Sequence, residues 1–199
     1  MIKKIIYTIV LFTLLATTAN ALEGNIKETM STKIHSALNI LKHKKESNKL
    51  KAQEIFKMFN EAFDYNLMAR LSLGKKHWIN ISKDEKERYI KTFISLLKQS
   101  FIEKLKLYNN QDIVIKDFIK NRANRAKLLT KLVGKKDTVN IIYKFYHSKK
   151  RGWIIYDVIV SDVSIIKSYR EQFSDLLNNM DFDDFLKKIK KANIKNSNA

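Results

Sequence analysis

A chain of 199 residues with no cysteine and no proline has neither a disulfide framework nor a lipid-anchored cysteine, so it must fold on an ordinary apolar core. Its 39 Lys and Arg against 20 Asp and Glu leave a net charge of +19, a field that favours anionic surfaces such as phospholipid headgroups or acidic protein patches. The same excess also follows from heavy use of Lys, Ile and Asn, so composition alone does not make the charge functional. The four histidines (His35, His43, His77, His147) are scattered, and the chain has no HExxH, nucleophile elbow or phosphate loop, so it reads as neither an enzyme nor a metal protein.

Lys3 and Lys4 precede an apolar run from Ile5 to Ala16, and Ala19-Asn20-Ala21 then supplies small residues for a signal peptidase. That run is shorter than the roughly 20 residues of a spanning helix. The expectation is a cleaved signal peptide over 1–21 and a periplasmic mature chain from Leu22, its net charge lowered to +17 by the loss of Lys3 and Lys4. Export argues against nucleic acid as the anionic partner. Residues 22–190 read as one domain, since no linker or fixed repeat interrupts them, and 191–199 as a polar, frayed tail.

Ile26, Met30, Ile34, Leu38 and Leu41 recur every three or four residues, which predicts a helix from Asn25 to Lys42. A second helix opens at Ser47 as N-cap and turns Ile55, Phe56, Phe59 and Phe63 inward. Ser82 and Glu85 have the spacing of a capping box, and Tyr89, Phe93, Leu97, Phe101 and Leu105 follow every four residues, giving a helix over 82–108. Beyond Tyr108 the period falls to two, with Ile113, Ile115, Val139, Ile141, Tyr143 and Phe145 alternating against polar neighbours. Turn signals at Asn121 to Asn124, Gly134 to Asp137 and Ser148 to Gly152 divide this region into four strands joined by short loops, hence an antiparallel meander. The fourth, Trp153 to Val160, is apolar on both faces and should be covered on both. Ser161 or Asp162 then caps a helix carrying Ile166, Tyr169, Phe173 and Leu176, and Asp181 to Lys190 forms a shorter amphipathic helix.

Two segments resemble the MlaC family, also known as toluene-tolerance auxiliary proteins, which are periplasmic components of a phospholipid transport system. FDYNLMARLSLGKKHWINISKDEKERY, Phe63 to Tyr89, is similar to the family's FD-led helix, M-A-R-x-x-L-G stretch, tryptophan and capped helix start. GWIIYDVIVSDVSIIKSYREQFSDLL, Gly152 to Leu177, is similar to its W-x-I-Y-D-V strand and the V-S-x-x-x-x-Y-R-x-Q-F helix. The chain departs from the pattern at Ser161-Asp162, where an acidic residue and glycine are common, and at Met180, where glycine is usual.

The resemblance implies an α+β fold, a four-stranded twisted antiparallel sheet wrapped by six to seven helices in a nuclear-transport-factor-type cone with an apolar cavity. It implies a phospholipid as ligand with no other cofactor. It also implies lipid exchange with an inner-membrane ABC transporter complex and an outer-membrane lipoprotein associated with porins, in a system that maintains outer-membrane lipid asymmetry; the carrier itself is expected to be a monomer. The residues expected to line the pocket are Phe93, Leu97, Phe101 and Leu105 on the long helix, Val139, Ile141 and Tyr143 on strand three, and Tyr156, Val158 and Val160 on strand four. Val163, Ile166, Tyr169 and Phe173 close it from the last long helix. If strands three and four turn the other way, Ile142, Trp153 and Ile155 take their places, and such stripes also make plain core. Arg70 and Arg170 are candidates for the headgroup phosphate, with a competing role as partners of Asp64 or Asp157. Trp78 reads either as an anchor to a membrane or partner or as a staple beside a helix start. A binding protein for another apolar ligand, a hopanoid-type lipid or an organic solvent, is the alternative reading.

Overall fold

The computed structural model describes residues 26–43, 45–135 and 137–197; the expected signal peptide over 1–21 lies outside them. Helix α1, 26–43, buries Met30, Ile34, Leu38 and Ile40, as its three-and-four spacing requires. Helix α2, Asn48–Phe59, is capped by the Ser47 hydroxyl, which accepts from the Leu50 amide, and buries Ala52, Ile55 and Phe59. Phe63, expected to extend that helix, lies beyond its end in a segment that bridges in parallel to Ile155. Helix α3, Tyr65–Leu73, is capped by Asp64 and stops at Gly74, whose φ of 81° belongs to the region open to glycine. A single turn, α4 (Lys75–Trp78), leads to α5 (Lys83–Leu105), where both arms of the capping box form: Glu85 N–H to Ser82 Oγ at 3.2 Å and Ser82 N–H to Glu85 Oε2 at 2.7 Å.

The sheet follows as β1 (Asp112–Arg122), β2 (Arg125–Val133), β3 (Thr138–Ser148) and β4 (Gly152–Val160), antiparallel neighbours in chain order. A two-residue fifth strand, β5 (Val163–Ser164), adds to the four expected. It forms because Ser161 and Asp162 both adopt positive φ, 48° and 64°, and reverse the chain. Neither therefore caps the next helix. That role falls to Ser164, whose hydroxyl accepts from the Lys167 amide at 3.0 Å at the start of α6 (Ile165–Leu177). Helix α7, Phe182–Ser197, is capped by Asp181 and runs past Lys190, where the apolar pattern stops. Among the described residues no helix is long and apolar enough to cross a membrane.

Two apolar clusters hold this α+β architecture together. One lies on the inner face of the sheet beneath α1, α2 and the C-terminal end of α5, and the other lies among α3, α5, α6 and α7. Both faces of β4 are covered, as its double apolar pattern requires: Ile155 and Val158 point to the first cluster, while Ile154 is fully buried on the other side, where α3 and α6 pack. Asp157, also buried, ties β4 to α6 by accepting from Ser164 Oγ at 2.8 Å and the Ile166 amide at 3.3 Å, with Lys144 Nζ at 3.2 Å.

Candidate lipid-holding cleft

The strand register fixes which side chains share the inner face. Ala126, Phe145 and Ile155 are cross-strand neighbours in one row; Phe118, Leu128, Tyr143 and Val158 form the next, Ile115, Thr130, Ile141 and Val160 a third, and Ile113, Leu132 and Val139 a fourth. Along β3 and β4 burial falls across these rows, while on β2 Ala126, Leu128 and Thr130 stay buried. Phe145 and Ile155 are shut away, Tyr143 and Ile141 are half-buried, and Val160 is 37% exposed. The face is therefore packed solid at one end and opens toward the start of β3. Even the one polar residue in this stretch is neutralised, since the Thr130 hydroxyl donates to the Ile141 carbonyl at 2.9 Å.

Tyr143 sits where closed gives way to open. Burial pushes its phenol up to about 12, yet the side chain keeps accessible surface, and its hydroxyl has no hydrogen-bond partner among the described residues. A half-buried ring beside fully buried Leu128 and Phe145 marks the edge of the packed region. Phe101 faces the same cluster from α5, edge-on to Phe56 of α2 at 5.2 Å, with Lys98 Nζ 5.7 Å above the Phe56 ring. At the open end a groove of about 610 Å³ runs between α1 and β1, lined by Ile113, Val114 and Ile115 and by Lys27, Glu28, Ser31, Thr32 and His35.

The expected pocket residues divide. Phe101, Ile141, Tyr143 and Val158 meet in this cluster, and Val139 and Val160 continue the same face outward. Tyr156 does not join them. The register slips between Lys144 and Phe145, so Tyr156 is the extra residue of a β-bulge, and it packs on the opposite face against Tyr146, Arg125 and Lys144. Beyond the bulge the alternation inverts, and Trp153 and Ile155 face inward together with Val158; Ile142 stays on the outer face. Val163, 58% exposed on β5, closes nothing.

Phe93, Leu97, Ile166, Tyr169 and Phe173 belong to the helical cluster. There Phe93 is fully buried and edge-on to Tyr169 and Phe173 at 5.5 and 6.4 Å. Tyr169 donates to Ser100 Oγ at 3.3 Å and Tyr89 meets Ser72 Oγ at 2.7 Å; burial raises both phenols. These five line a filled aromatic interior, separate from the sheet cleft. Leu105 is buried at the end of α5, outside both clusters.

Arg170 donates from Nε to the Leu71 carbonyl at 2.7 Å, near the C-terminus of α3. It is therefore paired with neither Asp64, which caps α3 and accepts from the Tyr146 hydroxyl, nor Asp157. Arg70 is exposed and has no side-chain partner among the described residues. Trp78 packs on the helical cluster, with Lys86 Nζ 5.6 Å over its ring. Ile113, Ile115, Phe118 and Phe56 also reach the sheet cluster or its edge; the sequence periods place Ile113, Ile115 and Phe56 on inward faces without assigning them to the pocket, and give no signal for Phe118. Among the described residues no group of three His, Asp or Glu could hold a metal.

An antiparallel sheet whose inner face passes from closed to half-open beneath two helices, with further helices packed on the far side of β4, defines a class of small α+β proteins. The "MlaC protein" family model matches residues 28–191, so the chain belongs to the MlaC family. The fold is also that of a phospholipid-binding protein from Ralstonia solanacearum, solved in complex with a phospholipid. The two share 18% identity and superpose with a TM-score of 0.73, covering 86% of this chain and 98% of that one. Among curated proteins no sequence match is found.

Proposed function

We propose that this protein is a soluble periplasmic phospholipid carrier. It takes acyl chains into the cleft between sheet and helices and exchanges them between an inner-membrane ABC transporter complex and an outer-membrane lipoprotein-porin complex, acting as a monomer without catalysis or a further cofactor. The observation that carries this reading is the inner face of the sheet, apolar but for Thr130 and accessible toward one end. Membership of the MlaC family supports it, as does the shared fold with a protein seen holding a phospholipid.

The physical case rests on where a lipid's costs fall. A buried phosphate without partners is prohibitive, so the headgroup stays at the wet rim while the chains enter. Each buried methylene contributes about 0.8 kcal/mol, and two chains of about 16 carbons gross about 25 kcal/mol. That exceeds the usual ceiling of about 18 to 21 kcal/mol, so ordering costs offset part of it. Escape into water is still slow, and lipid leaves by hand-over at a docked partner. Lys98 on α5, beside the Phe56–Phe101 pair of the sheet layer, is a cation with reach toward a headgroup, whereas Arg70 stands on α3 in the helical layer and the Nε of Arg170 is committed to Leu71.

The test is organic extraction of protein purified from its native compartment, followed by mass spectrometry of the extract. Intact diacyl phospholipid is the expected finding. An empty protein, a hopanoid-type lipid or a small solvent molecule would overturn the reading in favour of another apolar ligand. Lyso-lipid and free fatty acid accumulating on incubation would indicate an enzyme.

A further inference from the structure

The outward face of the sheet is built differently from the cleft. In the register, Ile159, Ile142 and Leu129 form an apolar row across β4, β3 and β2, which Asp117 ends on β1. Lys144, Lys127 and Ile119 lie in the row on one side, and Lys131 stands on the other beside Asn140 and Val114. Helices α3 and α6 cover this face along β4, but none of these outward side chains on β1 to β3 belongs to either apolar cluster. Ile119 and Val114 are 41% and 39% exposed.

The charges on this face are one-sided. Arg122, Lys127 and Lys131 make no ion pair or hydrogen bond among the described residues. The Arg125 guanidinium lies against the Tyr146 and Tyr156 rings at 5.7 and 5.6 Å without a carboxylate partner. Asp157 is buried and taken up by Lys144 and α6, which leaves Asp117 as the acidic group among these middle rows. An apolar row on a broad sheet, flanked by Lys127 and Lys131 with no ion-pair partner among the described residues, suits a surface that is both anionic and greasy. Protein interfaces are depleted in lysine, whereas at a bilayer lysine stems lie along the apolar boundary and their heads reach the phosphates.

We propose that this outward face docks the protein on anionic phospholipid bilayers. This holds whatever occupies the cleft on the other side of the sheet. Docking by this face turns the sheet's back to the membrane and leaves the cleft side free for a protein partner.

The test is flotation of the full mature chain with vesicles of phosphatidylcholine mixed with phosphatidylglycerol, compared with pure phosphatidylcholine. Binding is expected to the mixed vesicles, to weaken with salt, and to be at least tenfold weaker to the neutral ones. Lys127→Gln with Lys131→Gln should reduce binding by about twenty-five-fold, at about fivefold per lysine, while phospholipid co-purifying with the variant stays at the parent level. A control pair with the same charge loss, Lys75→Gln with Lys83→Gln on the helical layer, should lose less than about threefold. Equal losses from both pairs, equal binding to neutral vesicles, or a sheet-face variant impaired only toward an acidic protein would each overturn the proposal. A variant that floats normally but has lost its co-purified lipid would overturn it too, since that would place these lysines in ligand loading.

Discussion

The two apolar regions draw on the same residue types and part company in how they are filled. In the helical layer Tyr89, Phe93, Phe173 and Phe185 meet at ring distances of 5.2 to 6.4 Å, and the buried hydroxyl of Tyr89 is matched by that of Ser72. In the sheet layer the same density is reached around Phe145 and Ile155 and then lost across Tyr143 and Ile141 toward Val139. A region with no room left makes scaffold. One that is apolar yet open has affinity to spare for something from outside, so hydrophobic content alone does not mark a site.

The largest effect should come from the solid region. Phe93→Ala is expected to cost about 3 to 5 kcal/mol, measured by urea unfolding, with lipid content per folded molecule unchanged; a cost below about 1 kcal/mol would mean that the helical cluster is not close-packed. Asp157 joins the two regions, and Asp157→Ala should cost about 2 to 3 kcal/mol by freeing the α6 N-terminus and leaving Lys144 without its carboxylate. Phe101, already half open, should cost less as alanine, about 1 to 2 kcal/mol, and here lipid loading should fall, which a phosphorus assay of the purified variant reads.

The smallest effect concerns His77 in the helical layer, whose Nε2 is buried without a partner among the described residues. Burial, and secondarily Lys76, holds its pKa below the ordinary 6.5. The unfolded chain therefore binds the proton first as pH falls, so this contribution is complete above pH 6.5 and is lost below it. Tm should decline between pH 7 and pH 5, and His77→Gln should flatten that decline slightly. An unchanged slope in the variant would remove the assignment.

Much of the scaffold was legible in the sequence. Caps at Ser47 and Ser82, the shift from a helical period to a period of two, and the three turn signals fall where local chemistry puts them. The division between the two regions was not legible, and α5 shows why. A strict four-residue repeat advances about 40° per step on a helix of 3.6 residues per turn, so Phe101 points about 120° away from Tyr89. One stripe in the sequence therefore serves two cores, with Tyr89 and Phe93 in the helical layer and Phe101 on the sheet. The bulge at Tyr156 is similarly hidden, because an inserted residue in a strand apolar on both faces leaves no break in the pattern. Arg170 was read against acids nearby in the motifs, whereas a carbonyl at a helix end satisfies it equally well.

Filling the cleft addresses the central claim most directly. Ile141→Trp adds bulk where the inner face is half open, and Leu97→Trp adds the same kind of bulk beside the filled aromatic layer. Phospholipid bound per folded molecule should drop severalfold in the first variant with its melting temperature held or raised, while the second should lose stability and keep its lipid. An Ile141→Trp protein that unfolds from overpacking, or that folds and carries a full complement of phospholipid, would contradict an open cleft at that face of the sheet.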